Sequence, residues 1–149
     1  MTNTIRAYVD ADLDAVMAAW ESAVLVGHPF LSEAFKGSER YNIPNVYLPN
    51  TETWVCEQDG KVVGFIAMMV GEDTTEVGAI FVHSQSHGTG AGRMLMDKAR
   101  ALYGTLELEV FKENKVGRRF YAAYGFVPMS ERFHEASGHM MLRLRYPAS

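Results

Sequence analysis

The segment Phe81-Val82-His83-Ser84-Gln85-Ser86-His87-Gly88-Thr89-Gly90-Ala91-Gly92-Arg93-Met94-Leu95-Met96 carries the clearest chemistry in the chain. Three alternating glycines stand there between an apolar run and residues with helical spacing. Glycines let successive backbone N–H groups converge without interference from Cβ atoms, and a helix N-terminus adds roughly half a positive charge. Such a loop is an anion cradle whose natural guest is a phosphate or pyrophosphate. Spacing sorts the guests. A nucleoside triphosphate loop requires Lys followed by Ser or Thr after its last glycine, whereas Gly92 is followed by Arg93-Met94. A dinucleotide fingerprint requires G-x-G-x-x-G, and this loop reads G-x-G-x-G. Glu109, seventeen positions beyond Gly92, could stand in for the ribose-binding acid, so this reading stays open as a minor rival. The third guest is the pyrophosphate of an acyl-coenzyme A.

A second chemical stretch follows, Leu106-Glu107-Leu108-Glu109-Val110-Phe111-Lys112-Glu113-Asn114-Lys115-Val116-Gly117-Arg118-Arg119-Phe120-Tyr121-Ala122-Ala123-Tyr124-Gly125-Phe126. Asn114, Gly117 and Tyr121 are three and four apart, so they share one face of a helix, with Val116, Phe120 and Ala123 on the neighbouring face. One face packs and the other meets ligand.

Together the two stretches resemble the GNAT N-acetyltransferase superfamily. His87-Gly88-Thr89-Gly90-Ala91-Gly92 followed by Met94-Leu95-Met96 is similar to its R/Q-x-x-G-x-G/A motif, with His87 in place of the usual Arg or Gln. Gln85 to Gly90 also fits that pattern, and starting the helix after the last glycine selects the frame beginning at His87. The second stretch resembles L-x-V, then N-x-x-A-x-x-x-Y, then G-F, with Gly117 where the family usually has Ala. The resemblance spans about Trp54 to Phe126. It implies acetyl-coenzyme A as co-substrate, held at His87, Gly88, Thr89, Gly90, Ala91, Gly92 and Arg93, and against Phe81, Val82, Asn114, Gly117 and Tyr121. It also implies attack of a neutral amine on the thioester. In the branch that acetylates protein N-termini, the glutamate of an L-E-V strand is the base and the helix tyrosine the acid, positions that Glu109 and Tyr121 match. A backbone N–H near Phe81 or Val82 would hold the oxyanion, and Glu76 is a second candidate base.

Outside that pattern these residues have plainer roles. Charged residues on strands usually face solvent, which covers Glu109 and Glu76. A tyrosine on an amphipathic helix usually packs with a wet hydroxyl. Cys56 reads as a small buried hydrophobe, and the nine methionines as core filler. His28, His134 and His139 read as turn or surface residues, and no histidine pair has metal-ligand spacing on a helix, so no metal is expected.

The elements that must position these groups follow from periodicity. Ile5 to Val9 reads as a strand, and Asp10 as the cap of a helix through Leu13, Val16, Met17 and Trp20. Gly27 to Asn50 is irregular, with three prolines and one short helix around Ser32 to Lys36. Thr53 to Glu57 and Val62 to Val70 flank an Asp59-Gly60 hairpin signal. Glu76 to His83 reads as a central strand buried on both faces. Leu95, Ala99 and Leu102 mark a helix face, Leu106 to Val110 a strand, and Asn114 to Ala123 a helix stopped by Gly125. Phe126 to Met129 and Met140 to Tyr146 close the chain as strands, with Ser130 to His139 as a connection. This order implies an α/β (α+β) class, one domain over residues 1–149 with a mixed sheet flanked by helices; the resemblance implies the GNAT fold, with about six or seven strands splayed at the coenzyme A cleft.

Composition narrows the setting. Of 149 residues, 48% are hydrophobic and 21% charged, which marks a globular chain. The formal charge of -4, with no basic run, argues against nucleic acid as a partner. No apolar stretch is long enough to span a bilayer, the first ten residues carry no secretion pattern, and the one cysteine cannot form an intrachain disulfide. A cytoplasmic enzyme, monomeric or homodimeric, with an amine acceptor is the expectation. The alternative is a coenzyme A-sensing module without turnover. Acceptor choice would lie with Gly27 to Asn50 and Ser130 to His139, and the acidic Glu33 and Glu39 would welcome a cationic amine.

Overall fold

Asp59 and Gly60 have φ angles of 52° and 85°, the two positive values that a type I′ hairpin connection demands. They join β2 (Glu52–Gln58) to β3 (Lys61–Met69) with Gln58 opposite Lys61. The computed structural model describes residues 2–147, so residues 1, 148 and 149 of the expected domain lie outside it. Around this hairpin the chain adds β1 (Asn3–Ala7), α1 (Leu13–Gly27), α2 (Glu33–Asn42), β4 (Thr75–Val82) and α3 (Ala91–Tyr103). It then adds β5 (Leu106–Phe111), α4 (Lys115–Tyr124), β6 (Val127–His134) and β7 (His139–Tyr146). The seven strands form one sheet in the order β1-β2-β3-β4-β5-β7-β6.

The parallel pair β4–β5 joins the two halves of the sheet, and it is short. Thr75 faces Leu106 and Glu76 faces Glu107, after which the strands part. β4 stays with β3 as far as Gly64 opposite Val82, and β5 stays with β7 as far as Phe111 opposite Met141. The cause is local. The β3–β4 register shifts so that Ala67 faces Ala79 while Met68 faces Val77, which leaves Gly78 as the extra residue of a bulge. A bulge bends its strand, and this one lies just past the last β4–β5 pair.

Apolar cores cover both faces. On one, Leu95, Met96 and Ala99 of α3 pack against Ile66, Met68, Leu106, Leu108 and Val110. On the other, Val16, Trp20 and Val24, one helical stripe of α1, pack against Val55, Phe65 and Ala67. Cys56 is fully buried in the first core, as a small hydrophobe would be. No helix is long and apolar enough to cross a membrane among the described residues.

Several expectations need correction. β4 is not buried on both faces: from Gly78 onward its residues are exposed or half-buried, because they line the gap that opens beyond the bulge. The cap near α1 is Asp12, not Asp10. The Asp12 carboxylate accepts the Val9 N–H at 3.0 Å and both Arg6 terminal nitrogens at 2.8 Å, so β1 ends earlier than its apolar pattern. The short helix near Ser32 extends to Asn42 and then runs into a π-helical turn, Ile43–Tyr47, that accommodates Pro44 in its first turn. Ser130 to His134 is strand, not connection: β6 is an edge strand, exposed along most of its length, and shows no alternation to read. Leu102 faces solvent at 44% exposure, and Tyr103 packs on the core instead.

Leu108 sits on β5 at 1% exposure, on the half of the sheet that must hold its shape without β4 alongside. Leu108→Ala is expected to lower unfolding free energy by about 2–5 kcal/mol, read from denaturant melts.

Candidate active site

The glycine loop closes the end of β4 and opens α3. Gly88 and Gly90 have φ angles of 78° and 90°, and Gly90 is the N-cap residue of α3. Met94 N–H donates to Gly90 C=O at 3.0 Å as the first helical bond, so the N–H groups of the first turn point out of the helix end. The helix starts at Ala91, earlier than the frame beginning at His87 requires. The frame from Gln85 to Gly90 therefore describes the loop, and Gly92 lies inside the first turn. A Cβ on Gly92 would come within 3.2 Å of the Phe120 ring, so this glycine lets α3 and α4 approach.

Thr89 braces the cradle from behind. Its hydroxyl donates to Ser86 C=O and accepts from Gln58 Nε2, both at 2.6 Å, while Asn3 Nδ2 donates to Thr89 C=O at 3.2 Å. Its side chain is thus held by protein partners. His87 turns back onto β4, its Nε2 at 2.8 Å from Val82 C=O; a carbonyl only accepts, so the proton of this ring is on Nε2. Arg93 is exposed and lies over the Tyr124 ring.

Beyond the bulge, β4 and β5 enclose a cleft of about 640 Å³ that runs from Gly88 and Gly90 to His28 and Phe35. Phe81 and Val82 line one wall, and Glu109, Asn114, Gly117 and Tyr121 line the other. The ladder decides which amide faces inward. His83 N–H donates to Val63 C=O at 2.7 Å, and N–H groups on one strand edge recur every second residue. Phe81 N–H therefore points to β3, and Val82 N–H points into the cleft.

Three candidate acid–base groups fall in different settings. Glu109 reaches the cleft but is gripped by Arg132, whose Nε and Nη2 lie 2.6 Å from its two oxygens and hold the carboxyl below its ordinary range. Tyr121 packs edge-on against Phe120 and Phe126, and burial raises the pKa of its hydroxyl, which has no hydrogen-bond partner among the described residues. Glu76 lies outside the cleft lining, bound to Arg143, which also bonds Glu107. Among the described residues no group of three or more His, Cys, Asp or Glu side chains could hold a metal ion.

One contact escaped sequence reasoning. Asn114 caps α4 by accepting Gly117 N–H at 2.9 Å, which leaves Nδ2 facing His28 Nε2 at 3.1 Å. An amide nitrogen only donates, so His28 Nε2 is the acceptor and its proton sits on Nδ1. Burial among the rings of Phe30, Phe81 and Phe111 pushes the His28 pKa down to about 4, so the ring is neutral at physiological pH. Since α1 packs on β3 and β4 while α4 follows β5, this bond ties the two sides of the gap together. Two glycines make room for it: a Cβ at Gly27 would sit 3.0 Å from Asn114 Oδ1, and one at Gly117 would sit 2.6 Å from Nδ2. One signal of it in the sequence is glycine in place of alanine at 117.

Residues 49–128, more than half of the chain, match the family described as the acetyltransferase (GNAT) domain. The chain belongs to the GNAT acetyltransferase family. As such it is an acyl-coenzyme A-dependent N-acetyltransferase. This GNAT chain is 32% identical over 122 residues to peptidyl-lysine N-acetyltransferase YiaC of Escherichia coli strain K12, covering 82% of each protein. The fold is that of apo YjaB from Escherichia coli, at a TM-score of 0.84 and 24% identity with both chains fully covered. It is also that of the PaiA N-acetyltransferase of Thermoplasma acidophilum in complex with coenzyme A, at 0.76 and 19% identity over 98% of this chain and 100% of that one.

In an ordinary helix, alanine in place of glycine stabilises by up to about 1 kcal/mol. Gly117→Ala in this GNAT enzyme is expected to do the reverse, because the new methyl displaces the Asn114 amide. Thermal melts should show a lower Tm, and an NMR titration should show the His28 pKa rising from about 4 as the ring loosens. A stabilised variant with an unchanged His28 signal would remove the Asn114–His28 bond from the account.

Proposed function

We propose that this enzyme moves the acetyl group of acetyl-coenzyme A to the ε-amine of a lysine in a peptide or protein, by direct attack on the thioester. The observation that carries the reading is the gap between β4 and β5, which connects a glycine-capped helix end to a cleft lined by Glu109, Tyr121 and Val82. The peptidyl-lysine activity named for YiaC supports the acceptor.

Each group has a role that its environment suits. A lysine ammonium has a pKa near 10.4 and must lose a proton before it can attack. Glu109, kept ionised by Arg132, is a weak base; it attracts the ammonium and relays the proton through water. Val82 N–H is the donor for the developing oxyanion. As the carbon–sulfur bond breaks, Tyr121 gives its proton to the thiolate; burial keeps the phenol protonated until then. The cleft lining favours Glu109 over Glu76, whose carboxylate is tied to Arg143 outside it. The first-turn amides of α3 and those of the loop, from Gly88 to Arg93, bind the pyrophosphate.

Acetyl-coenzyme A at about 100 times its dissociation constant should stabilise the fold by about 2.7 kcal/mol, seen as a rise in Tm. Tyr121→Phe keeps the ring packing, so affinity should hold while the single-turnover rate on a lysine peptide falls about 10²- to 10⁴-fold. An unchanged rate would return Tyr121 to a packing role.

Arg132→Gln tests Glu109 through pH. The arginine holds the carboxyl pKa down, so its removal should move the acid limb of the rate–pH profile toward higher pH. Glu109→Gln should depress the rate most at neutral pH and least at high pH, where more amine is already neutral. A profile that Arg132→Gln leaves in place would take Glu109 out of the reaction.

A further inference from the structure

Glu39, on α2, lies between the cleft and an adjoining groove and lines both. Its neighbouring cations are engaged elsewhere: Lys36 Nζ lies 2.8 Å from Glu33, and Arg40 makes two bonds to Glu21 at 2.7 and 3.1 Å. The contact made to Glu39 is the Tyr47 hydroxyl, donating to Oε1 at 3.2 Å, and among the described residues the carboxylate has no ion pair. Burial raises its pKa, the direction of a carboxylate that lacks a compensating charge. Glu109, by contrast, is paired with its own arginine, Arg132.

The groove has the walls that a cation uses. It encloses about 400 Å³, with the rings of Phe35, Tyr47 and His134 around it and Ser32, Ser38 and Asn42 at its polar side. Aromatic faces attract cations and cover the methylenes of a long side chain, while a carboxylate supplies the counter-charge. The reacting amine belongs in the cleft, because Glu109 and Val82, its proton relay and oxyanion donor, line the cleft and not the groove. The groove adjoins the cleft, so it has room for a second side chain of the same acceptor.

We propose that the Glu39 groove binds a positively charged side chain, Arg or Lys, flanking the acetylated lysine of a peptide acceptor. The assignment rests on the lysine-acceptor reading above. Glu39 is then a specificity residue for the acceptor and plays no part in binding acetyl-coenzyme A.

The test compares lysine peptides flanked by Arg, Gln or Glu with a blocked single lysine, measuring thiol release from acetyl-coenzyme A. The wild-type enzyme should favour the Arg-flanked peptide over the Glu-flanked one, less so at high salt. Glu39→Gln is isosteric and keeps an acceptor for Tyr47. It should raise KM for the Arg-flanked peptide about tenfold, with kcat, KM for acetyl-coenzyme A and turnover of the blocked lysine unchanged. Glu39→Lys should shift the preference toward the Glu-flanked peptide. An unaltered flank preference in both variants, or an equal loss on the blocked lysine, would overturn the groove assignment alone. A wild-type enzyme that acetylates other amines but no lysine substrate would overturn the lysine reading, and the groove with it.

Discussion

Two strands that begin as parallel neighbours and then part create the cleft, and the remaining structure arranges itself around that separation. A parallel pair would ordinarily continue its ladder along the full length of both strands. Here pairing ends after Glu76 and Glu107 because the bulge at Gly78 bends β4 away. Each half of the sheet needs its own support beyond that point. β4 obtains it from β3 and α1, and β5 from β7 and the α3 core. The helix end at Gly90 faces the opening because α3 follows β4 through the glycine loop, so one bend positions both the cleft and the helix end that lines it.

Two small polar networks fix the dimensions of this opening. At the glycine-loop end, Thr89 is held by Gln58 and Asn3 from the first two strands. At the other end, the Asn114 amide spans from α4 to His28 beneath a cluster of aromatic edges. Both depend on glycines for close approach, though for different reasons: Gly88 and Gly90 supply positive φ, whereas Gly27 and Gly117 supply space. A buried neutral histidine suits the second network, since a charged ring there would lose solvation without a counter-ion.

Much of this was legible before any coordinates. The Asp59-Gly60 turn, the strand order around the glycine loop and the Leu108-Glu109-Val110 strand could be read because local chemistry and tertiary demand agree there. The helix start at Ala91 was missed because three glycines in a row of alternating residues offer two equally good frames, and only the left-handed backbone at Gly90 separates them. The second half of β6, Ser130 to His134, reads as a connection because an edge strand exposed along most of its length carries no alternation. The partners of Glu109, Thr89 and Asn114 were invisible for another reason: Arg132, Gln58 and His28 lie 23, 31 and 86 positions away in the chain, and nothing in their local sequence marks the pairing.

The divergence of β4 and β5 also gives the protein two free strand margins in its interior. Amides such as that of Val82 lie along them without a ladder neighbour on β5. On an outer rim such margins invite another chain to add itself and start an aggregate. Here they lie inside the fold, between two sides that the Asn114–His28 bond ties together. A thread that carries its own amides, as the pantetheine arm of the proposed co-substrate does, would meet unpaired backbone groups there. The feature that would be a hazard at the periphery thus becomes, once enclosed, a row of backbone donors and acceptors to which an amide-bearing ligand can be matched.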